Sequence, residues 1–404
     1  MQVTGIVAEY NPFHNGHGYH ITQTAALQQN DGVIAVMSGN FTQRGETAVF
    51  DKWTRTEMAL HCGVDLVLEL PAAFAVRSAG YFARGAVLSL AATGVVTHLS
   101  CGVESQTATE LQVLADFLAE ESPQFQEALQ QQLQQGLSFP SARHKALLQL
   151  GITSADQLQS PNNILALHYL QTIRQEHLTI TPLLITRLGN YNDDTIPASS
   201  QGFASASAIR KLLLQGDSHW QQQVSKPVEQ LIHKQLQQGY LPMTNENFTQ
   251  TIFTLLRRST PEQLTEIIET AEGLENRIFA AAHQTNTINE LCEAVKSKRY
   301  TYTRIQRMLI HLLLNFTQQY AANEPAYLRV LGFNHTGQKI LKEMKKKAEL
   351  PILIRPARQR QQLSLQAQQM LALDCRATNL YYLGYALPFL RKSNLDLLQS
   401  PVQV

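Results

Sequence analysis

The feature that most constrains the fold is an alternation of short apolar runs with longer amphipathic stretches in the first half of the chain. Five runs have the length and apolar character of strands, at residues 3–8, 32–37, 64–70, 95–99 and 180–186. Helical patterns lie between them at residues 19–29, 51–62, 81–92 and 107–119. This alternation predicts an α/β fold with a Rossmann-like parallel sheet wrapped by helices.

Beyond residue 220 the strand signals mostly disappear. Leu-rich helical patterns follow at residues 248–257, 261–271, 288–296, 303–315 and 338–347, with short strands possible at 350–354 and 378–382. We therefore divide the chain into residues 1–220 and a mainly α-helical domain at residues 221–404. A Gln-rich segment at residues 124–135 keeps Phe125, Leu129 and Leu133 at a four-residue period, which predicts a surface helix.

Composition excludes several classes of protein. With 44% hydrophobic residues among 404, the chain is not intrinsically disordered. No apolar run reaches the ~18 residues of a membrane span, and the first residues lack the features of a secretory signal, so we expect a cytoplasmic protein. The four cysteines are widely spaced and form no CxxC pair, which disfavours a zinc site or a disulfide framework.

Charge is unevenly distributed along a nearly neutral chain. Residues 290–360 contain 14 Lys and Arg against 5 Asp and Glu, a net charge of +9, whereas the whole chain carries +1. A basic region on a neutral protein indicates a surface for a polyanion, although a solvated helical face gives the same pattern.

The loop after the first strand carries the strongest chemical signal. It contains His14-Asn15-Gly16-His17, directly before the first helix, at the edge of an α/β sheet where ligands bind. A helix N-terminus suits phosphate, and two imidazoles one turn apart can stabilise charge on a phosphoryl group. Two alternatives remain: His14 and His17 as metal ligands, for which no carboxylate or Cys lies at a helpful local spacing, or both as ordinary polar loop residues. His20 is expected to face solvent.

Three strings of residues extend this motif. Residues 5–17 are GIVAEYNPFHNGH, residues 38–46 are SGNFTQRGE, and residues 160–169 are SPNNILALHY. The HNGH loop resembles the HxGH signature of the nucleotidyltransferase superfamily. The three strings together resemble the tRNA(Met) cytidine acetate ligase family, clearly over the first half and more loosely through residues 328–345.

The resemblance implies an activity and its substrates. The family makes N4-acetylcytidine at the wobble position (C34) of elongator tRNA(Met) from acetate and ATP through acetyl-adenylate. It implies that residues 1–220 are the ATP-binding catalytic domain, that His14 and His17 are catalytic, and that Mg²⁺ is held mainly by phosphates. The ATP-binding residues carried over are Val7, Ala8, Glu9, Tyr10, Asn11, Pro12, Phe13, His14, Asn15, Gly16, His17, Gly18, Tyr19, His20, Gly102, Arg187 and one of Asn162 and Asn163, of which we favour Asn162.

Other cations and hydroxyls are placed for phosphate or substrate. Ser205, Ser207 and Arg210 precede or begin a helix and resemble the second phosphate motif of the superfamily, although a serine N-cap looks the same. Arg44 follows the second strand, and Lys52 and Arg55 begin the next helix. Arg44, Lys52 and Arg55 are candidates for the carboxylate or phosphate, and a solvated helix face is the alternative for Lys52 and Arg55.

The basic half is the candidate RNA surface. The turn at residues 332–337 offers backbone N–H groups to a phosphate, and Tyr300, Tyr302 and Arg304 combine aromatic and cationic groups. The predicted tRNA-binding residues are Lys296, Lys298, Arg299, Lys342, Lys345, Lys346 and Lys347.

Two other functions fit the same motifs. A small-molecule adenylyltransferase of the coenzyme-precursor type needs the histidine loop but no basic helical half. A non-catalytic RNA-binding protein with a nucleotide fold needs the basic half but no intact HNGH. From the residues alone, the prediction extends to ATP-using nucleotidyl transfer on an RNA; acetate and tRNA(Met) come from the resemblance.

Overall fold

The fold is that of a computed structural model, which describes residues 1–27, 30–104, 108–120, 122–187 and 203–404. Its strands are β1 (Val3–Ala8), β2 (Gly32–Ser38), β3 (Leu66–Leu70), β4 (Val96–Val103), β5 (Thr181–Thr186), β6 (Leu328–Phe333), β7 (Ile352–Leu353) and β8 (Val402–Gln403).

The helices surround the sheet and form the rest of the second half. They are α1 (Asn15–Leu27), α2 (Lys52–Leu60), α3 (Ala72–Ala75), α4 (Ala79–Ala91), α5 (Ala108–Glu120), α6 (Pro123–Gln134), α7 (Phe139–Gln149), α8 (Pro161–Gln175), α9 (Ala206–Gln215), α10 (Lys226–Gln237), α11 (Thr249–Arg258), α12 (Pro261–Leu264), α13 (Leu274–Ala282), α14 (Ile288–Val295), α15 (Tyr302–Leu314), α16 (His335–Lys347), α17 (Pro356–Gln359), α18 (Leu365–Leu383) and α19 (Leu395–Leu398).

One sheet runs through the molecule in the order β5-β4-β1-β2-β3-β6-β7, and β8 also pairs with β6. Strands β1 to β5 are parallel, with Val3 opposite Gly32 and Ala8 opposite Met37 in the central pair. β6 is antiparallel to β3. The parallel part matches the predicted Rossmann-like sheet.

The central strands are buried on both faces. Ile34 and Val36 of β2 pack into one hydrophobic cluster, whereas Val33, Ala35 and Met37 pack into the other. Successive side chains of a strand point to opposite faces, so a strand covered on both sides must be apolar at every position. This explains why the first half showed continuous apolar runs.

The second half departs from the prediction at three places. β6 was missed and assigned to the helical region. Residues 378–382 are not a strand but lie in α18, where Thr378, Tyr381 and Tyr382 are buried at helical spacing. The helix predicted at residues 261–271 ends at Leu264, because the backbone then turns to pair with the chain after α15: Ile268 N–H donates to Phe316 O.

Strands from both halves thus belong to one sheet, and the boundary at residue 220 stays a prediction. The other predicted strands and helices are present with bounds that shift by a few residues, and the surface helix at residues 124–135 is α6. Residues 28, 29 and 107, which two predicted helices include, lie outside the described residues. Within the described ranges, no helix combines the length and apolar character needed to cross a membrane.

Candidate active site

The carboxyl ends of β1, β2, β4 and β5 meet at one side of the sheet, which we call the carboxyl edge. A cavity of about 1530 Å³ lies there. Its walls come from the loop after β1, the loop after β2, the ends of β4 and β5, the starts of α8 and α9, and part of the helical half. The fold therefore brings together loops that are far apart in sequence, as expected for a ligand site in an open α/β sheet.

The histidine loop, residues 9–18, leads directly into α1. His14 O accepts hydrogen bonds from His17 N at 2.9 Å and Gly18 N at 3.2 Å. The ring Nδ1 of His14 accepts from Gly16 N at 3.0 Å, and that of His17 accepts from His14 N at 3.2 Å. Each Nδ1 is thereby an acceptor, so in the neutral ring Nε2 carries the proton.

The two imidazoles lie against each other and are neutral near pH 7. Their ring centroids are 3.8 Å apart with planes inclined by 30°. Burial, together with the positive charges of Arg187 and Arg210, lowers the pKa of His14 to about 3. Burial and the neighbouring His14 also hold the pKa of His17 well below its usual value. Both rings thus present N–H donors without placing an unpaired charge in the cavity.

Gly16 allows this arrangement. A Cβ at this position would lie 2.9 Å from Cε1 of the His14 ring, too close for any other residue without moving that ring. Of the residues carried over as an ATP-binding string, four do not line the cavity: Pro12, Phe13, Asn15 and Gly18. The ones that do are Val7, Ala8, Glu9, Tyr10, Asn11, His14, Gly16, His17, Tyr19 and His20.

Arg55 anchors the loops of the carboxyl edge. It is fully buried, and its guanidinium donates to the carbonyl oxygens of Glu9, Ser38, Gly39 and Phe50, with Nη1 2.6 Å from Glu9 O. The sequence placed Arg55 either on a ligand or on a solvated helix face, and the structure shows neither. One planar cation instead satisfies backbone acceptors that would otherwise be buried without partners.

The start of α9 closes one side of the histidine loop. Ser205 caps the helix, because its Oγ accepts from Ala208 N at 3.1 Å, and it also lies 2.9 Å from Ser207 Oγ. Arg210 donates to Asn11 O at 2.9 Å and pairs with Glu46 at 2.8 Å. The serines and Arg210 all line the cavity. The N-cap interpretation and a phosphate role are thus compatible.

On the opposite side, the end of β4 meets Arg187 and α8. A Cβ on Gly102 would lie 3.3 Å from Cγ of Arg187, so the arginine stem packs over this glycine. Asn162 lines the cavity and donates to Glu104 Oε1 at 2.8 Å. Asn163 is buried, and its Oδ1 accepts from Glu104 N at 2.9 Å. This placement favours Asn162 over Asn163 as the cavity residue.

Glu9 of the histidine loop and Arg44 of the loop after β2 bring a carboxylate and a cation to the same space. Glu9 Oε1 accepts from Gln43 N at 2.7 Å, and Arg44, the residue after Gln43, also lines the cavity. Burial raises the pKa of Glu9, although the Gln43 N–H opposes that rise. Arg44 is therefore at the predicted edge.

Lys52 is not in the cavity, which contradicts its candidate role in binding phosphate or carboxylate. Its Nζ is buried and lies 2.6 Å from Glu69 Oε1 and 2.6 Å from Asp396 Oδ1. Burial alone would lower the pKa of Lys52, but the carboxylates of Asp396 and Glu69 raise it. Both partners come from distant segments, one of them near residue 400, so no local sequence signal indicated this internal ion cluster.

The expectation that His20 faces solvent is also wrong. His20 is half-buried, lines the cavity, and places Nε2 2.8 Å from Ser100 Oγ on β4. Burial, followed by Arg187, lowers its pKa to about 4. The face of α1 that packs on the sheet therefore includes His20.

Part of the helical half reaches the cavity. Three arginines, which we call the arginine rim, line its wall: Arg299, Arg304 and Arg307. Glu272 lies 3.5 Å from Arg299 Nε and 3.1 Å from Arg304 Nη1, and Glu269 lies 3.4 Å from Arg307 Nε. Arg299 is one of the predicted tRNA-binding residues, whereas Arg307 was missed, although Arg304 and Arg307 are three apart and share a helix face.

The lysines of α16 lie at the other side of the sheet, which we call the amino edge. Asn334, which caps α16, donates its backbone N–H to the carbonyl of Asp65, the residue before β3, and Asp65 Oδ2 accepts from Val33 at the start of β2. Near the other end, Glu349 N–H donates to Ala92 O, just before β4. The predicted RNA-binding lysines of α16 are exposed at this edge: Lys342, Lys345, Lys346 and Lys347.

The amino edge lies about 20 Å from the histidine loop, the length of a six-residue strand. Lys296 and Lys298 are exposed near the arginine rim and do not line the cavity. The turn predicted at residues 332–337 is partly strand β6, and its Gly337 N–H donates to Asn334 Oδ1 at 2.9 Å. That N–H group is thus used within the fold rather than offered to a phosphate.

Among the residues that the structure describes, no group of three His, Cys, Asp or Glu side chains is arranged to hold a metal ion. The cavity offers single carboxylates that already have partners, such as Glu46 beside Arg210. A protein cage for a divalent cation is thus not formed by these residues, and Mg²⁺ commonly binds through substrate phosphates instead.

The sequence is similar to known proteins over nearly its whole length. The family model described as HIGH Nucleotidyl Transferase matches residues 1–394. A relative from Syntrophomonas wolfei named tRNA(Met) cytidine acetate ligase is 41% identical over 419 residues, covering 100% of this chain and 99% of the relative. A protein of the same name from Acetivibrio thermocellus is 37% identical, covering 99% of each chain. The chain belongs to the tRNA(Met) cytidine acetate ligase family.

Solved structures of this family show the same fold. The chain matches Thermotoga maritima TmcAL bound with alpha-thio ATP with a TM-score of 0.94, and the apo form with 0.96, at 35% identity and full coverage of both chains in each case. The predicted family and the α/β fold class are therefore confirmed. Neither the small-molecule adenylyltransferase nor the non-catalytic RNA-binding protein is favoured by these comparisons.

Proposed function

We propose that this chain is an ATP-dependent ligase that activates acetate as acetyl-adenylate and transfers the acetyl group to N4 of the wobble cytidine of elongator tRNA(Met). The relatives named for this activity are similar to the chain over essentially their whole length. The single structural observation behind the proposal is one continuous cavity that joins the histidine loop to the arginine rim. A nucleotide and an RNA base would meet in that space.

ATP is proposed to lie along the carboxyl edge. Gly102, Asn162 and Arg187 would contact its adenosine end and α-phosphate, and the start of α9 with Arg210 would hold the β- and γ-phosphates. His14 and His17 would donate from Nε2 to the phosphoryl oxygens. Because burial keeps the rings neutral, an incoming phosphate charge would also raise their pKa and strengthen these hydrogen bonds.

The first step is an in-line displacement. A carboxylate oxygen of acetate bonds to the α-phosphorus, and the bond from that phosphorus to the bridging oxygen breaks. Pyrophosphate leaves with the electron pair, and the two histidines and Arg210 stabilise the charge that it carries. A magnesium ion held by the phosphates would add to that stabilisation. No protein nucleophile is needed, so positioning and electrostatics account for the catalysis.

The second step uses the mixed anhydride. N4 of an unpaired cytidine bonds to the acetyl carbon, the bond from that carbon to the phosphate oxygen breaks, AMP leaves, and N4 gives up a proton. The base must be turned out of its stack to enter a cavity, which single-stranded RNA loops permit. The arginine rim would bind phosphates beside that base, with RNA replacing the contacts of Glu269 and Glu272.

The lysines of α16 are proposed to contact parts of the RNA distant from the reactive cytidine. They lie at the amino edge, whereas Lys296 and Lys298 are exposed near the rim and are better placed beside the reactive loop. Long-range attraction by all of these cations would increase the rate of encounter with RNA.

The decisive experiment is mass spectrometry of nucleosides from tRNA incubated with the protein, ATP and acetate, with acetyl-CoA as the control donor. N4-acetylcytidine that appears only with ATP and acetate supports the proposal. Pyrophosphate release without acetylcytidine would support the adenylylation step and reject cytidine as the acceptor. Absence of both products would reject the proposal as a whole.

A further inference from the structure

The same cavity has a second polar region that the proposed function does not use. It lies between α7 and α8, away from the histidine loop, and contains Arg143 and His168. Arg143 is only 5% exposed, and its Nη1 lies 3.2 Å from His168 Nε2. These two residues are surrounded by apolar side chains, including Phe125, Leu129 and Leu165.

Arg143 is a buried cation without a counter-charge in the part of the chain that the structure describes. No carboxylate there lies within salt-bridge distance of its guanidinium, and its buried Nε has no hydrogen-bond partner. By contrast, Arg174, on the outer surface of α8, pairs with Asp116 at 2.6 Å and is 57% exposed. Buried charges are normally paired, so an uncompensated arginine beside a cavity indicates that a ligand supplies the missing anion.

His168 supports this interpretation. Burial and the adjacent Arg143 lower the pKa of His168 to about 3, so the ring is neutral and does not add a second charge. Its Nε2 accepts from Arg143 and holds one end of the guanidinium fork in place. The rest of the fork is the group that binds carboxylates and phosphates in two-point contacts.

We propose that Arg143, positioned by His168, forms a second oxyanion subsite of this cavity, which receives a carboxylate or phosphate group of the co-substrates that meet ATP. This proposal rests on the proposed function for the identity of those co-substrates. The oxyanion is either the carboxylate of acetate, with the apolar wall around its methyl group, or a phosphodiester of the RNA beside the reactive cytidine.

The subsite is tested first by binding, without any reaction. The full chain is saturated with a non-hydrolysable ATP analogue, which occupies the phosphate positions near the histidine loop. Acetate and inorganic phosphate are then titrated separately and followed by ligand-observed NMR. Wild type and Arg174→Gln should bind one or both anions, and Arg143→Gln should weaken that binding about tenfold or more, the loss expected for a charged hydrogen-bond donor.

Kinetics then identify the source of the oxyanion. If it is acetate, Arg143→Gln raises KM for acetate in ATP–pyrophosphate exchange without tRNA, while kcat at saturating acetate changes little. If it is RNA, the exchange reaction is unchanged and KM for tRNA rises. Unchanged anion binding together with unchanged KM for acetate and tRNA would overturn the proposal.

Two further measurements distinguish a lost subsite from a damaged fold and from an inactive protein. Arg143→Met replaces the buried cation with an apolar chain of similar length, a change that often leaves stability intact. Lost anion binding at an unchanged Tm supports the subsite, whereas retained binding in Arg143→Met refutes it. If wild type forms no acetylcytidine and no exchange product, the proposed function fails, but the binding titration still decides whether the oxyanion subsite exists.

Discussion

The two edges of the sheet carry positive charge in different ways. At the carboxyl edge, cations line a cavity and are held by backbone oxygens or acids, as Arg210 is held by Asn11 O and Glu46. At the amino edge, the lysines of α16 point to solvent from a helix whose cap is already satisfied by the fold. This difference leads us to expect the polyanion at the carboxyl edge, where the cations line a cavity and have organised partners, rather than at the lysines of α16.

The largest expected effect concerns a lysine that belongs to neither edge. Lys52→Met should lower the free energy of unfolding by about 3 to 5 kcal/mol, because it leaves Glu69 buried without its cation and Asp396 with Arg329 alone. The matched control, Lys345→Met at the amino edge, should change it by no more than about 0.5 kcal/mol. Urea denaturation measures both. A Lys52→Met protein of normal stability with a raised KM for ATP would restore the phosphate role.

The carboxyl edge is tested next through its histidines. His14→Ala and His17→Ala should each reduce acetate-dependent ATP–pyrophosphate exchange by about 100-fold or more, the loss expected when one preorganised donor to the transition state is removed. His61→Ala, at the end of α2 remote from the carboxyl edge, is the control and should retain the wild-type rate. Retention of activity in both loop variants would show that His14 and His17 do not take part in the adenylylation step.

The buried, neutral state of His14 predicts a dependence of stability on pH. The pKa of His14 is about 3 in the fold and near 6.5 in the unfolded chain, so the unfolded state binds more protons between these values. Stability should therefore fall as pH drops below 6.5, by about 2 kcal/mol for this residue between pH 6.5 and 5. Urea unfolding of wild type and His14→Gln at both pH values measures the difference. An equal acid sensitivity in the two proteins would contradict the assignment.

The smallest expected effect compares the two groups of surface cations directly. Arg299→Gln/Arg304→Gln should raise KM for tRNA about tenfold and reduce its dependence on salt, as expected when phosphate contacts are lost. Lys345→Gln/Lys346→Gln should change KM less than about threefold, because those lysines lie at the amino edge. The reverse order would show that the RNA is held mainly at the amino edge.

The sequence predicted the parts of the site that are formed locally. His14, Gly16 and His17 lie within one turn after a strand, so their mutual geometry follows from the local chain. The central parallel strands were predicted for a similar reason, since the continuous burial of β2 and β3 leaves continuous apolar runs. For these features, the residue pattern along the chain is enough to predict the structure.

The parts that were missed depend on contacts between distant segments. β6 is apolar because it lies beside β3, and nothing within residues 328–333 separates such a strand from a buried helix. Arg143 and Lys52 look alike in sequence, as cations in helical stretches. One is buried next to a cavity without a described counter-charge, and the other is buried between two carboxylates. Only the fold distinguishes them.

The antiparallel pairing of β6 with β3 also sets a condition on synthesis. β3 is buried along its whole length, yet its second neighbour is made only when residues 328–333 leave the ribosome. At translation rates of 5 to 20 residues per second, the nascent chain exposes this hydrophobic strand edge for roughly 10 to 50 s. The ion pair between Lys52 and Asp396 forms later still, since Asp396 is translated after β6. The nucleotide-binding half therefore cannot be completed before nearly the whole protein has been translated.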